Sequence, residues 1–166
     1  MSARADRLTA LTAERELDCL LVTEALNVRW LSGFTGTNGA CLVSRDERLF
    51  FTDFRYVEQA GAQVHGFELL EVGRDMLGGM AARVRGRTGF DDAHMSVRTH
   101  ARLAEKAAEE VELVAAGGLV ERLRAIKDPD ELGAMRAAAE LADRAYEHIR
   151  DRGLSGRTEV TVSPPR

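Results

Sequence analysis

The fold is decided by the stretch Ala40-Cys-Leu-Val-Ser-Arg-Asp-Glu-Arg-Leu-Phe-Phe-Thr52. Two apolar runs, 40–44 and 48–52, flank the segment Ser44-Arg-Asp-Glu47, which has the composition of a tight turn. We therefore expect two antiparallel strands joined as a hairpin. The other candidate strands are separated by helical patterns, so the sheet that contains this hairpin is predicted to be mixed rather than wholly parallel.

Short apolar runs alternate with longer helical patterns on both sides of the hairpin, which is typical of an α/β domain. The prediction is a mixed, roughly six-stranded sheet flanked by helices. Its other predicted strands are Cys19–Thr23, Phe67–Val72, Thr88–Phe90 and Val111–Val114. Its predicted helices are Ala3–Glu16, Leu26–Leu31, Phe54–Val64, Met76–Arg85, Val97–Glu110 and Leu119–Ile126.

The composition excludes several classes of protein. Apolar residues make up 45% of the 166 residues and charged residues 30%, which is enough for a hydrophobic core. The 23 Lys and Arg against 27 Asp and Glu give a net charge of -4, so neither nucleic acid nor a membrane is an expected partner. No signal-peptide core or membrane-spanning apolar run is present, and we expect a cytoplasmic protein. Cys19 and Cys41 lie in apolar runs and are predicted to be buried, unpaired thiols.

A long helix is predicted after Lys127. The segment Asp128-Pro-Asp-Glu131 combines a capping Asp, a proline at the first helical position and a Glu three residues after the cap. One face of the helix carries an apolar stripe, formed by Leu132, Met135, Ala139, Ala142, Tyr146 and Ile149. The stripe packs either on the sheet of the same domain or on another domain or chain.

These patterns divide the chain into three parts. Residues 1–127 are predicted to form a complete domain, and residues 128–152 the long helix, which Gly153 ends. The tail 153–166 has no periodicity, and we expect it to be disordered.

The glycines Gly33, Gly36 and Gly39 invite comparison with a phosphate-binding loop. Such a loop follows a strand and opens a helix, so that backbone N–H groups face the anion. Here a predicted helix precedes the loop and a strand follows it, which argues against phosphate binding. We interpret the segment as a connector in which Gly and Asn38 supply positive φ, and we consider a recognition role for this exposed loop.

The titratable residues form no recognisable metal or catalytic motif. None of the four histidines has another His, a Cys or a carboxylate at metal-ligand spacing. Asp91 and Asp92 follow a short strand, where neighbouring side chains point to opposite faces, and a solvated turn is the expected setting.

The segment Asp53-Phe-Arg-Tyr56 is the strongest candidate for a recognition site on residue chemistry alone. Asp53 ends a strand and is placed to cap the N–H groups of Arg55 and Tyr56. One alternative is a purely structural cap with one buried aromatic ring. The other is recognition of an anionic or acyl ligand, because Arg can hold a carboxylate through two parallel hydrogen bonds.

Three segments carry a family resemblance. They are Trp30-Leu-Ser-Gly-Phe-Thr-Gly-Thr-Asn-Gly-Ala-Cys-Leu-Val43, Phe50-Phe-Thr-Asp-Phe-Arg-Tyr-Val-Glu-Gln-Ala60 and Leu123-Arg-Ala-Ile-Lys-Asp-Pro-Asp-Glu-Leu132. In this order they resemble the N-terminal half of Xaa-Pro aminopeptidases and Xaa-Pro dipeptidases (prolidases), a family that includes creatinase. The resemblance extends from about residue 3 to Glu159.

The resemblance implies a two-domain metallohydrolase. An N-terminal α/β domain precedes a pita-bread domain in which two Asp, one His and two Glu hold two divalent metal ions, usually manganese or cobalt. This sequence stops before those ligands, so no catalytic residue, metal ligand or cofactor is assigned to it. Without the ions nothing polarises a peptide carbonyl or acidifies a water, and we expect the isolated chain to be inactive.

The resemblance also implies a role for the N-terminal domain. In the family this domain builds a dimer or larger oligomer and leans a loop toward an active site, where short peptides with proline second are selected. Such peptides are expected to bind only together with the catalytic domain. The implied substrate-contacting candidates are Phe34, Thr37 and Asn38 of the loop, with Asp53, Arg55 and Tyr56.

The resemblance implies a partner for the long helix as well. In the family the matching segment opens the catalytic domain, and here we expect self-association to cover the apolar stripe. Two alternatives to a peptidase fragment stay open: a stand-alone peptide- or protein-binding module of the same fold, and a fragment of a creatinase-type amidinohydrolase.

Overall fold

The computed structural model describes residues 3–153 and 155–158. Most of the tail that was predicted to be disordered lies outside these described residues. The strands are β1 (Cys19–Val22), β2 (Gly39–Ser44), β3 (Arg48–Thr52), β4 (Glu68–Glu71), β5 (Arg87–Phe90) and β6 (Glu112–Ala115). The helices are α1 (Ala3–Glu14), α2 (Ala25–Ser32), α3 (Val57–Gln63), α4 (Met76–Ala81), α5 (Val97–Lys106), α6 (Leu119–Ala125) and α7 (Pro129–Arg152).

The six strands form one mixed sheet in the order β4-β3-β2-β1-β5-β6. Strand β2 pairs antiparallel with both β1 and β3, whereas β3–β4, β1–β5 and β5–β6 are parallel pairs. The predicted hairpin is present, and its turn is closed by a 3.0 Å hydrogen bond from Ser44 N to the Glu47 carbonyl. The predicted fold class is therefore confirmed.

Both faces of the sheet are covered by helices. Alternate residues of a strand point to opposite faces, so β1 sends Leu20 to one hydrophobic cluster and Leu21 to the other. The first cluster includes residues of α1, α2, α3 and α6, and the second includes residues of α4 and α5. This explains why the central strands are continuous apolar runs rather than alternating ones.

The two cysteines are buried and unpaired, as predicted. Burial raises the pKa of the Cys41 thiol far above its ordinary value, because the thiolate form is excluded from an apolar interior. Cys19 Sγ lies 3.2 Å from the hydroxyl oxygen of Thr88. Both thiols therefore act as small core side chains.

Several helices are shorter than their sequence patterns predict. At the end of α1 the chain reverses at Glu16, which adopts a left-handed φ of 53° and lets Leu17 turn into the core. Helix α5 ends at Lys106, before the adjacent acidic residues Glu109 and Glu110, whose charge would oppose the negative end of the helix dipole.

Contacts between Cα atoms divide the chain into two units, Met1–Ala125 and Ile126–Arg166. The first unit contains the sheet. The second contains α7, which begins with a capping box: Glu131 N donates to Asp128 Oδ1 and Asp128 N donates to Glu131 Oε2, each at 2.9 Å. The helix start predicted from Asp128-Pro-Asp-Glu131 is confirmed. Among the described residues, no helix has both the length and the hydropathy that crossing a membrane requires.

Candidate functional site

The site is built at the end of β3, where Asp53 follows the last residue of the strand. Asp53 is only 5% exposed, and its Oδ1 accepts a 2.9 Å hydrogen bond from Arg55 N. Tyr56 N donates to the Asp53 carbonyl at 3.0 Å, which closes a turn over residues 53–56. This turn explains why α3 begins at Val57 and not at the predicted Phe54: Asp53 caps the turn that precedes the helix. We call residues 53–56 the corner.

The loop 34–38 and the corner, which sequence analysis treated as separate candidates, lie together. Asn38 Nδ2 donates to Asp53 Oδ2. The hydroxyl oxygens of Thr37 and Tyr56 are 2.7 Å apart and share a hydrogen bond. The loop is therefore attached to the corner by two side-chain hydrogen bonds, and the two candidates form one site.

An ion pair at the corner fixes the direction of Arg55. Its Nη2 donates to Asp53 Oδ2 at 2.7 Å, and its Nε lies 3.1 Å from Oδ1. The hydrogen bond from Arg55 holds the pKa of Asp53 far below its usual range, and the same bond raises the pKa of Arg55. Arg55 is 60% exposed, so the part of the guanidinium that faces away from Asp53 is open to a carbonyl or carboxylate ligand.

Phe34 supports the site from inside. It is 1% exposed, and its ring packs edge-on against Phe50 at 4.9 Å and Tyr56 at 5.8 Å between centroids. A ligand could reach this ring only after the loop opened, so the structure gives Phe34 a supporting position. Thr37 and Arg55 are exposed, whereas Asn38 and Tyr56 are partly buried.

The exposed aromatic ring of the corner is Phe54, which sequence analysis did not select. It is 64% exposed and lies between Asp53 and Arg55, at the outside of the turn. Phe54 and Arg55 are thus consecutive exposed residues, one apolar and one charged.

Two of the three loop glycines are required for close packing and not for the predicted positive φ. Only Gly33 of the three has a positive φ, 84°, and Asn38 does not have one. Gly36 and Gly39 instead allow close packing: a Cβ added to Gly36 would lie 2.3 Å from Cζ of Phe34. The prediction that Gly and Asn38 generally supply positive φ here is therefore wrong, because the buried ring under the loop sets the requirement.

Asp91 is a second buried carboxylate, and the expected solvated turn is wrong for it. It follows β5 and is 8% exposed, and its Oδ2 accepts from Thr23 N at 2.8 Å and from Glu24 N at 3.0 Å. Burial raises the pKa of Asp91 despite these two bonds. Asp92 points elsewhere and accepts from Gly117 N at 2.9 Å. The two neighbouring carboxylates therefore diverge, as the strand geometry predicts.

The described residues do not fit the dinuclear metal centre that the resemblance implies. In the part of the chain that the structure covers, no group of three or more His, Cys, Asp or Glu side chains could hold a metal ion. No chemical step that needs such a centre is assigned to the residues described.

The apolar stripe of α7 is exposed over most of its length. Leu132 is 40% exposed, Met135 55% and Tyr146 68%. Ala139 and Ala142 are also exposed, and Ile149 is partly buried. Leu141, 61% exposed, lies outside the stripe, on the side of the helix opposite Leu132.

Comparison with known proteins identifies relatives of this fold. The chain matches the family model described as "Creatinase/Prolidase N-terminal domain" over residues 4–126. It is 36% identical over 162 residues to the uncharacterized peptidase YqhT of Bacillus subtilis (strain 168), covering 95% of this chain and 46% of that protein. The Xaa-Pro dipeptidase from Bacillus anthracis superposes with a TM-score of 0.87 at 33% identity, covering 96% of this chain and 46% of that one.

A shorter structure matches as well. The N-terminal domain of the cytoplasmic peptidase PepQ from Mycobacterium tuberculosis H37Rv is 37% identical with a TM-score of 0.67, and the match covers 74% of this chain and 99% of that one. The chain spans about half the length of the Bacillus relatives, 46% in each case. The predicted resemblance is thus confirmed over the sheet, the loop and the corner. The chain belongs to the creatinase/prolidase N-terminal domain family.

Proposed function

We propose that this chain is the N-terminal, non-catalytic part of a metal-dependent Xaa-Pro peptidase, where it gates substrate and builds an oligomer. The observation that carries the proposal is the joining of loop 34–38 to the corner within a chain whose relatives include an Xaa-Pro dipeptidase. The metal ions, manganese or cobalt, and their ligands would come from a catalytic domain that follows in the whole protein. As in the name of the M. tuberculosis relative, the setting we propose is cytoplasmic.

We assign the gating to the exposed half of the site. Arg55 is held by Asp53 in one direction and offers its outer N–H groups to a carbonyl or carboxylate of a short peptide. Phe54 adds an apolar surface beside that charge, and Thr37 adds a hydroxyl. A pre-formed charge next to an apolar ring suits the polar end and the proline ring of a short Xaa-Pro peptide.

The gating proposal is tested by Arg55→Leu in a full-length peptidase that carries this chain. We expect KM for Xaa-Pro dipeptides to rise by about tenfold, which is one lost charge-assisted contact, while kcat stays within about twofold. Arg45→Leu is the matched control, because Arg45 is an exposed arginine in the hairpin turn, at the other end of β2 and β3. Equal KM values for Arg55→Leu and the parent enzyme contradict the assignment.

The isolated chain provides a second test. With added Mn²⁺ or Co²⁺ we expect no release of the N-terminal residue from an Xaa-Pro peptide, because the described residues offer no metal site. Metal-stimulated hydrolysis by the isolated chain rules the proposal out. Tight binding of peptides or proteins by the inactive chain alone favours the stand-alone binding module instead.

For the chain by itself, without a catalytic domain to cover α7, we assign self-association to the stripe on α7, where Met135 and Tyr146 are exposed. Burying each of these side chains contributes on the order of 1 to 3 kcal/mol, enough to favour a covered stripe. In analytical ultracentrifugation we expect the chain to dimerise and the variants Met135→Lys and Tyr146→Lys to be monomeric. Leu141→Lys, at an exposed position outside the stripe, should leave the dimer intact. A wild-type chain that is monomeric at every concentration contradicts this assignment.

A further inference from the structure

The side-chain amides of Gln59 and Gln63 hold Thr35, near the start of loop 34–38. Thr35 N donates to Gln63 Oε1 at 2.9 Å, and Gln63 Nε2 lies 3.0 Å from the Thr35 hydroxyl oxygen. Gln59 Nε2 donates to the same hydroxyl at 3.1 Å and to Gln63 Oε1 at 3.2 Å. The backbone N–H of Thr35 and the side-chain N–H of Gln59 thus both donate to Gln63 Oε1, and these two bonds determine the orientation of the Gln63 amide.

The backbone brings the start of the loop close to the same helix end. Gly33 follows α2 with a φ of 84°, and a Cβ added there would lie 3.1 Å from the Gln63 carbonyl oxygen. Gln63 is the last residue of α3. The chain therefore leaves α2 directly against the end of α3, where the amide of Gln63 meets Thr35.

The loop is consequently held at both ends by one continuous segment, residues 53–63. Thr37 and Asn38 are bonded to Tyr56 and Asp53 at the start of this segment, and Thr35 is bonded to its end. All of these attachments therefore lie on one segment of the chain, at its beginning and its end.

We propose that Gln63 is a positioning residue that, with Gln59, holds Thr35 and so sets the place of loop 34–38 beside the corner. The hydrogen bonds to Thr35 support this role in loop position. An effect of Gln63 on substrate binding rests in addition on the proposed gating function, so loop position and KM are measured in separate experiments.

The positional part is tested on this chain by NMR measurement of amide exchange. In Gln63→Leu the Thr35 amide loses its acceptor, and we expect its exchange to accelerate about five- to tenfold. Gln63→Glu keeps the acceptor oxygen and should stay within about twofold of wild type. Gln59→Leu removes only donors to the cluster and should have a smaller effect than Gln63→Leu. Unchanged protection of Leu42 in β2 and Leu49 in β3 shows that the variants fold.

The proposal is overturned if Thr35 exchanges at the same rate in wild type and Gln63→Leu, or equally fast in Gln63→Leu and Gln63→Glu. In the full-length peptidase we expect Gln63→Leu to raise KM for Xaa-Pro peptides severalfold with little change in kcat, and Gln63→Glu to restore it. A change in exchange without a change in KM supports the positioning role and contradicts the gating function. A change in KM without a change in exchange contradicts the positioning role.

Discussion

The buried carboxylate of Asp91 gives the most direct test of the structure, through the variants Asp91→Ala and Asp91→Asn. One oxygen, Oδ2, accepts both the Thr23 and the Glu24 N–H at 2.8 and 3.0 Å. Asn can place its single carbonyl oxygen at the same point and keep both bonds, whereas Ala leaves both N–H groups without this acceptor.

The expected magnitudes follow from these two bonds. Each is worth about 1 kcal/mol net, so Asp91→Ala should have a free energy of unfolding about 2 kcal/mol below that of Asp91→Asn, which also lacks the charge. With about 2.1 cal/mol/K of unfolding entropy per residue, a first unit of this size should lose about 8 °C in Tm. Asp91→Asn also removes a charge from a buried position, so its stability near pH 7 should equal or exceed that of wild type.

The pH dependence has a definite sign. Because burial raises the pKa of Asp91 in the folded chain, the folded state binds this proton more tightly than the unfolded state does. Stability from the protonated form is fully present below the unfolded value of about 3.9 and is lost as the pH rises through the raised pKa. Glu121 strengthens the shift and His94 opposes it. Asp91→Asn should remove this component of the pH dependence.

Urea unfolding followed by circular dichroism between pH 4 and 8 measures the free energies of unfolding and their pH dependence, and thermal unfolding measures Tm. The reasoning is refuted if Asp91→Asn is destabilised as much as Asp91→Ala, since the hydrogen-bond count would then not explain the role of the carboxylate. It is also refuted if the pH profile of Asp91→Asn is identical to that of wild type.

Three further predictions concern other parts of the chain. Cys19 and Cys41 are buried, so they should resist a thiol reagent in native buffer and react only at the rate of unfolding. A labelling time course with and without denaturant measures this, and rapid labelling of the native chain would contradict their burial. Asp128→Ala should cost the α7 helix about 1 kcal/mol, seen as reduced helical dichroism, while Asp128→Ser should retain most of the signal. Gly36→Ala should displace the ring of Phe34 and lower Tm, and an unchanged Tm would mean that the ring moves aside freely.

Much of the fold follows from local patterns in the sequence. The hairpin could be predicted because its turn is polar and both of its strands are apolar, and the start of α7 because capping is a contact within four residues. Helix ends were harder to predict because they depend on distant partners. Glu16, for example, reverses the chain so that Leu17 can reach the core.

The site was predictable in its residues more than in its arrangement. Asp53 and Arg55 are two positions apart and carry opposite charges, so an ion pair between them can be expected from the sequence alone. The sequence could not show that Phe34 lies under the loop while Phe54 lies outside, because both are aromatic residues near turns. Gln59 and Gln63 carry no motif of their own, and their role becomes visible only when Thr35, 28 residues from Gln63, is placed beside them.

The strand order has a consequence for synthesis on the ribosome. Strands β4, β3, β2 and β1 are neighbours in reverse chain order, so four of the six strands can pair as soon as residue 71 has emerged. The other side of β1, the run Cys19-Leu-Leu-Val22, has no partner until β5 follows at residues 87–90. A nascent chain of intermediate length therefore exposes a wholly apolar strand edge, the type of surface that chaperones cover and that aggregates when they do not.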